Sequence, residues 1–266
     1  MLPITVRAIR PFHIWIILCL ISVGGFFFDE TRLPALILFA LLQPVMAIGV
    51  MKPNLSFFGP VLYKCEKANV IALTFDDGPD PKITPDILDL LDKKGIKATF
   101  FVIAQKAEKD PEIVKRIFDA GHVVSCHDLH HSVFSNFRMT RMMSRDISRS
   151  REIIRSIIGR NVAIYRPPVG LTNPHLFPVL DKLGMTCVCW NKSGGDAGNR
   201  SRKGIERIGS LDVSGGDIVL LHDALPDESM KSLVITNLEK LFTNIADKNL
   251  VCETVDKALG IQAYAD

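Results

Sequence analysis

From Val70 onward the chain repeats one unit: a short apolar or β-branched run, a polar turn, then a segment whose apolar residues recur at helical spacing. Such alternation leads to parallel strands joined by helical crossovers, because two parallel neighbours cannot be linked by a tight turn. Strands are expected at residues 70–75, 98–103, 122–127, 163–168, 186–190, 217–222 and 250–254, and helices at 85–94, 110–120, 140–158, 174–183 and 229–248. Seven strands with crossovers fit either a (β/α) barrel or a doubly wound open sheet. No G-x-G-x-x-G follows any of these runs, so the dinucleotide-binding open sheet lacks its phosphate turn.

The placement of reactive side chains selects the barrel. The first strand runs into Asp76-Asp77, the third into His127, the fourth into Arg166, the fifth into Trp190 and the sixth into His222-Asp223. Every one of these groups lies at a carboxyl end. In a parallel barrel those ends converge on one face, where catalytic groups are contributed by several strands at once.

The N-terminal part is different in kind. Residues 12–28 and 33–51 carry no charge and approach the roughly 20 residues that a helix needs to cross hydrocarbon. With Asp29-Glu30-Thr31-Arg32 between them, they read as a helical hairpin in a membrane segment spanning 1–52, followed by a linker over 53–69 and a catalytic domain over 70–266. They also account for the chain's apolar balance, 47% hydrophobic against 23% charged residues. Arg7 and Arg10 before the first stretch, and Lys52, Lys64 and Lys67 after the second, outnumber the single Arg32 of the loop. By the positive-inside rule this bias places both ends, and the domain beyond, in the cytoplasm. Two features favour the outward alternative: Ser22-Val23-Gly24 resembles a weak signal-peptide cleavage site, and Pro34, Gln43 and Pro44 weaken the second span. Membrane lipid is an expected partner. Nucleic acid is not, since the net charge is only +3 and no basic run is interleaved with aromatics.

Thr74-Phe75-Asp76-Asp77-Gly78-Pro79 sets two adjacent carboxylates where the chain leaves its strand. Adjacent side chains there point in different directions, so one can bind a metal while the other acts as a general base; solvated acids in an Asp-Gly-Pro turn are the plainer reading. His127 and His131 are four apart, which in one helical turn lets both imidazoles reach the same cation. With Asp77 they make a set of two histidines and one carboxylate, and such a set leaves positions open for water. Arg138, Arg141, Arg145 and Arg149 recur at helical spacing and read as a solvated basic face, or as a face for anionic lipid. The six cysteines form no CxxC pair and no compact framework, so reduced thiols are expected.

Taken together, Thr74 to Gly78, His127 with His131, Arg166-Pro167-Pro168-Val169-Gly170, Trp190 with Asp196, and Leu220-Leu221-His222 resemble the five ordered motifs of the polysaccharide deacetylases, carbohydrate esterase family four. The resemblance implies a distorted (β/α) barrel and one divalent metal ion, commonly Zn2+, used to hydrolyse acetyl groups from amino sugars. Carried over residue by residue, it implies Asp76 as base, Asp77, His127 and His131 as metal ligands, and Arg166 as the partner that holds the base. His222 becomes the general acid, with Asp196 tuning its neighbours. Two departures stand out. Asp128 occupies the place after the first histidine where Ser or Thr is usual, so it could add a ligand or shift the pKa of bound water. Asp196 is followed by Ala197 instead of Trp, so a wall of the groove is expected to be missing.

The residues then imply a membrane-anchored, metal-dependent hydrolase acting on an N-acyl amino sugar of a polysaccharide or lipid-linked glycan. Asp76 would take a proton from the attacking water and His222 would protonate the leaving amine. An O-deacetylase, a deformylase or a non-catalytic sugar-binding member on the same scaffold are the alternatives.

Overall fold

The strand β1 (Val70–Asp76) is buried at all seven positions, which explains why its sequence shows no alternation of apolar and polar residues. The computed structural model describes residues 10–265, so Arg7 of the basic flank lies outside the described residues. β1 lies in the middle of a curled parallel sheet built with β2 (Thr99–Val102), β3 (Val123–Cys126), β5 (Ile164–Tyr165), β6 (Thr186–Cys187), β7 (Lys192–Ser193) and β8 (Ile218–His222). The order is β6-β5-β3-β2-β1-β8-β7. This is the distorted (β/α) barrel expected from the alternation. The crossovers carry α3 (Thr84–Lys93), α4 (Ala104–Lys109), α5 (Pro111–Asp119), α6 (Thr140–Ile158), α7 (Leu176–Leu183), α8 (Arg202–Ile208) and α9 (Lys231–Asp247). α6 and α7 both stop at a glycine in the left-handed region, Gly159 at φ 71° and Gly184 at φ 62°.

Some expected strands are shorter or differently paired. The run at 186–190 is a regular strand only at β6, with one further isolated bridge at Val188. β9 (Val251–Cys252), expected as the seventh barrel strand, pairs with Val70 and Ile71 at the start of β1 instead. Its place in the sheet is taken by the two-residue β7, too short for periodicity to reveal. β4 (Asn161–Val162) and β10 (Tyr264–Ala265) form a small antiparallel pair beside the barrel, with α10 (Val255–Leu259) between β9 and β10.

The sheet does not close through β6 and β7. Residues 53–69, expected as a linker, fill that opening. Leu62 bridges Val188 beyond β6, and Lys64 bridges Asp217 just before β8. Phe57, Phe58, Val61 and Cys65 from the same segment are buried.

The hairpin is formed by α1 (Pro11–Phe26) and α2 (Arg32–Met51). α2 is 20 residues long, with a mean hydropathy of 2.2, and is long and apolar enough to cross a membrane; α1 is 16 residues long. The two helices pack directly, Trp15 Nε1 donating to Leu42 O at 2.8 Å and Ser22 Oγ donating to Ala35 O. Their base is seated on the barrel: Phe12 N donates to Phe57 O at 3.3 Å, Arg10 Nη1 to Phe58 O at 2.6 Å, and Thr172 N to Val50 O at 3.3 Å. A Cβ at Gly49 would lie 2.5 Å from the Phe57 ring, so this contact requires glycine.

His122, one residue before β3, is buried against Phe100 with ring centroids 5.5 Å apart, and its Nδ1 accepts from Ala98 N at 3.1 Å. An acceptor nitrogen must be unprotonated. Burial, together with the charge of Lys97 and against that of Asp92, lowers this imidazole to about 4. Its folded-state pKa lies below that of the unfolded chain, so its contribution to stability is complete above about pH 6.5 and declines as pH falls toward 4. His122→Asn keeps an acceptor for Ala98 without titrating. We expect the wild type to lose stability relative to His122→Asn as pH is lowered from about 7 to about 4.5, read as the difference between their urea midpoints.

Candidate active site

The C-terminal end of β1 fixes two acids with different surroundings. Asp76 closes the strand and is buried, while Asp77 turns out of it at φ 72°, a left-handed conformation that directs its carboxylate to His127 and His131. Lys106 on α4 secures this turn by donating from Nζ to the backbone oxygen of Asp77 at 2.7 Å. β3 ends one residue before His127, whose Nδ1 lies 2.9 Å from Arg166 O. A carbonyl can only accept, so Nδ1 carries the proton and the Nε2 lone pair faces the cleft. Burial lowers this imidazole to about 3, against the pull of Asp77, and so keeps it neutral.

His131 does not reach the site on a helical turn. Residues 127–132 form a loop with Asp128 at φ 75° and His131 at φ 51°, and this double reversal brings the two rings to 4.9 Å between centroids. His131 Nε2 lies 3.1 Å and His127 Nε2 3.5 Å from the same Asp77 Oδ1. One donor atom from each of these three residues lies within 4.8 Å of the others. Asp77 Oδ1 is buried and accepts no hydrogen bond, so a lone pair is left aimed at the two imidazole nitrogens. Two imidazoles and a carboxylate oxygen without a donor are a set that fits a divalent cation.

Asp128 takes no part in this cluster. Its Oδ2 accepts from Ser135 Oγ at 2.7 Å and is 3.3 Å from Arg138 Nη1, so the carboxylate is turned away from the cleft and paired. The expected extra ligand is therefore replaced by an internal brace of the His127–His131 loop. The arginine row is likewise paired in part, Arg138 and Arg145 with Asp146 and Arg149 with Glu108 and Glu152.

Arg166, fully buried just beyond β5, donates from Nη1 to Asp76 Oδ1 at 2.7 Å and to Thr74 Oγ1 at 2.7 Å, from Nε to Val188 O at 3.1 Å and from Nη2 to Cys189 O at 3.0 Å. Its guanidinium lies 3.9 Å from the Phe101 ring centroid. Burial raises the pKa of Asp76, and the Arg166 charge opposes that rise. Beside Asp76 on the neighbouring strand, His222 at the end of β8 places Nδ1 2.9 Å from Asp196 Oδ2. Burial disfavours the charged ring, but the Asp196 hydrogen bond and the fields of Asp196, Asp76 and Asp77 outweigh it and raise His222 to about 9. Asp223 is not in the cleft: its Oδ2 accepts from Thr84 Oγ1 at 2.8 Å.

Asp76, Asp77, His127, His131, Trp190, Asp196 and His222 thus line one cleft of about 370 Å³. Three contributors escaped sequence reasoning. Lys106 lies on a helix too short to be recognised, and Asn199, which holds His222 O at 2.8 Å and Ala224 O at 2.9 Å, lies in a loop without periodicity. Arg200, on the cleft wall, follows it in the same loop.

Comparison with known proteins agrees with this geometry. The sequence profile of the family described as polysaccharide deacetylase matches residues 63–188. A peptidoglycan-N-acetylglucosamine deacetylase of Bacillus cereus is 31% identical over 193 residues, covering 71% of this chain and 88% of the relative. The chain belongs to the polysaccharide deacetylase family. A chitooligosaccharide deacetylase of Sinorhizobium fredii is 29% identical over 195 residues, covering 70% of this chain and 89% of its own. Among solved structures, the chitin deacetylase of Colletotrichum lindemuthianum superposes with a TM-score of 0.68 at 25% identity, over 77% of this chain and 95% of that one. Members of this family are hydrolases of amide bonds, and the barrel mouth described above is where this chain gathers its reactive groups.

The donor geometry predicts that Asp77→Ala, His127→Ala and His131→Ala each lose most of their affinity for a divalent cation, because two remaining ligands hold it weakly. Asp128→Asn should retain that affinity, since Asp128 is engaged by Ser135 and Arg138. Titration calorimetry with Zn2+ checks both; wild-type affinity in all three alanine variants would exclude the assigned ligand set.

Proposed function

We propose that this protein is a membrane-anchored, metal-dependent deacetylase of N-acetyl amino sugars, with Asp76 as general base, His222 as general acid and Asp77, His127 and His131 as the ligands of one divalent ion. The observation that carries the reading is that Asp76 and His222, in register at the ends of two adjacent strands, are held by different partners. Asp76 has one oxygen held by Arg166 and the other free, whereas His222 is kept protonated by Asp196. A donor set of two histidines and one carboxylate suits Zn2+, which when bound would polarise the acetyl carbonyl and acidify water.

Arg166 holds Asp76 Oδ1, so Oδ2, 3.7 Å from His127 Nε2, is the oxygen available to take a proton from an attacking water. Anchored at Nδ1 by Asp196, His222 presents Nε2 to the cleft, where it delivers a proton to the departing nitrogen. An amine needs that proton to leave. Trp190 closes one wall; a Cβ on Gly170 would lie 2.7 Å from its ring, so glycine there lets the indole lie flat. Because Ala197 occupies the cleft edge, a substrate ring meets a lower wall on the Asp196 side. Relatives named for chitooligosaccharide and for peptidoglycan N-acetylglucosamine support an N-acetylated hexosamine as the sugar.

The hairpin supplies the anchor. Because α1 and α2 are antiparallel and their base rests on the barrel, Arg10 and the domain would lie on one side of the bilayer, and the basic flanks favour the cytoplasm as that side. A sugar carried on a membrane lipid is the N-acetylated substrate that such a domain would meet. Cys65 is buried and cannot report on topology, but Glu66 is exposed. A membrane-impermeant maleimide should label Glu66→Cys above the wild-type background in lysed cells only, and equal labelling in intact cells would place the domain outside.

The acid and base roles separate by leaving group. Asp76→Asn should lose about a hundredfold or more in turnover on both an N-acetyl sugar and an activated aryl acetate. His222→Ala should lose far more on the N-acetyl sugar than on the aryl acetate, because a phenolate leaves without a proton. Equal losses for His222→Ala on both substrates would remove it from the acid role, and full activity of Asp76→Asn would overturn the mechanism.

A further inference from the structure

Beside the catalytic cleft lies an apolar rim that no part of the described chain covers. Phe134 and Phe137, with ring centroids 6.5 Å apart, are 71% and 81% exposed, and Met139, Met142 and Val169 are about half exposed or more. Burying apolar side chains of this size is favourable, so a cluster of them left in water indicates a partner. The rim touches the cleft through Val169, a β-branched residue held at φ 58° whose side chain lines the cleft wall. Backbone strain of this kind is costly and concentrates where function requires it.

The rim is also tied to the base of the hairpin. Asn173 Nδ2 donates to the backbone oxygen of Asn136, between the two phenylalanines, at 2.9 Å. Its neighbour Thr172 donates from N to Val50 O at 3.3 Å, at the end of α2. Two consecutive residues of one loop thus link the rim to the end of the apolar helix. Exposed Met51 and Leu55 continue the apolar surface from the helix base. The charges nearby are arranged compatibly. Arg138, between Phe137 and Met139, is drawn inward by Asp128 and Asp146, whereas Arg141, between Met139 and Met142, is exposed.

We propose that Phe134, Phe137, Met139, Met142 and Val169 dock on the lipid bilayer that holds the α1–α2 hairpin, so that the cleft opens toward substrate carried in that membrane. Exposed aromatic and methionine side chains with an exposed arginine among them match the boundary between acyl chains and anionic headgroups. The inference rests on the hairpin being the membrane anchor, and the test separates the two.

The full-length protein is reconstituted in vesicles of phosphatidylethanolamine and phosphatidylglycerol containing a phospholipid with a photoreactive diazirine on its acyl chain. After irradiation, tryptic peptides are read by mass spectrometry. Lipid adducts are expected on the hairpin and on the peptide that carries Phe134 and Phe137. Phe134→Ser combined with Phe137→Ser should lose the rim adducts while keeping those on the hairpin, with turnover of soluble chito-oligosaccharide unchanged as proof of folding. A labelled hairpin with an unlabelled rim peptide overturns the docking and leaves the anchor standing. A hairpin without adducts overturns the anchor, and the docking with it.

Discussion

The buried guanidinium of Arg166 is the interaction on which the barrel mouth depends. It joins the end of β1, through Asp76 and Thr74, to the turn beyond β6, through the carbonyls of Val188 and Cys189, while its own backbone oxygen orients His127. A cation placed so far from water is tolerated only because each face of its fork meets an acceptor. Removing the arginine would leave Asp76 as an unpaired buried carboxylate, a change worth about 3–5 kcal/mol at buried pairs. The surroundings of Asp76 and its link to the turn beyond β6 are therefore set by a single side chain, and the orientation of His127 by the backbone of the same residue.

Around that centre the cleft assigns opposite tasks to similar groups. Asp76 and Asp77 are neighbours in sequence, but the left-handed φ of Asp77 separates them into an arginine-bound carboxylate and a carboxylate facing two imidazoles. His127 and His222 are likewise both histidines at strand ends, largely shielded from water. The first is kept neutral by burial; the second, although buried, is kept charged by Asp196. Environment, and not residue type, decides which group can hold a cation and which can give a proton.

The N-terminal part is joined to this chemistry more closely than a tether would be. Leu62 and Lys64 bridge the gap that the short strands β6 and β7 leave in the sheet, and Phe57 and Phe58 carry the hairpin base on the same segment. The same loop that follows Arg166 reaches Val50 at the end of α2. Hairpin and cleft are consequently held in one orientation instead of turning freely about a linker.

The alternation from Val70 onward determined a parallel sheet, because only helical crossovers join neighbouring parallel strands, and the acids, histidines and arginine at the run ends selected the barrel and the face that carries the chemistry. The charge-free stretches determined the hairpin by length alone. Tertiary structure decided what spacing could not express. His131 reaches Asp77 through a loop with two left-handed residues, because the backbone dihedrals of a loop leave no periodic trace. Asp128, next to His127 in sequence, is removed from the site by Ser135 and Arg138, which lie seven and ten residues away. Residues 62–65 became part of the barrel because the short end strands β6 and β7 do not pair with each other, and Lys106 and Asn199 entered the site from segments too short or too irregular to be read. Local pattern reports the faces that a segment can bury; the pairing of a buried polar atom with a distant partner is settled only when the whole chain has closed around it.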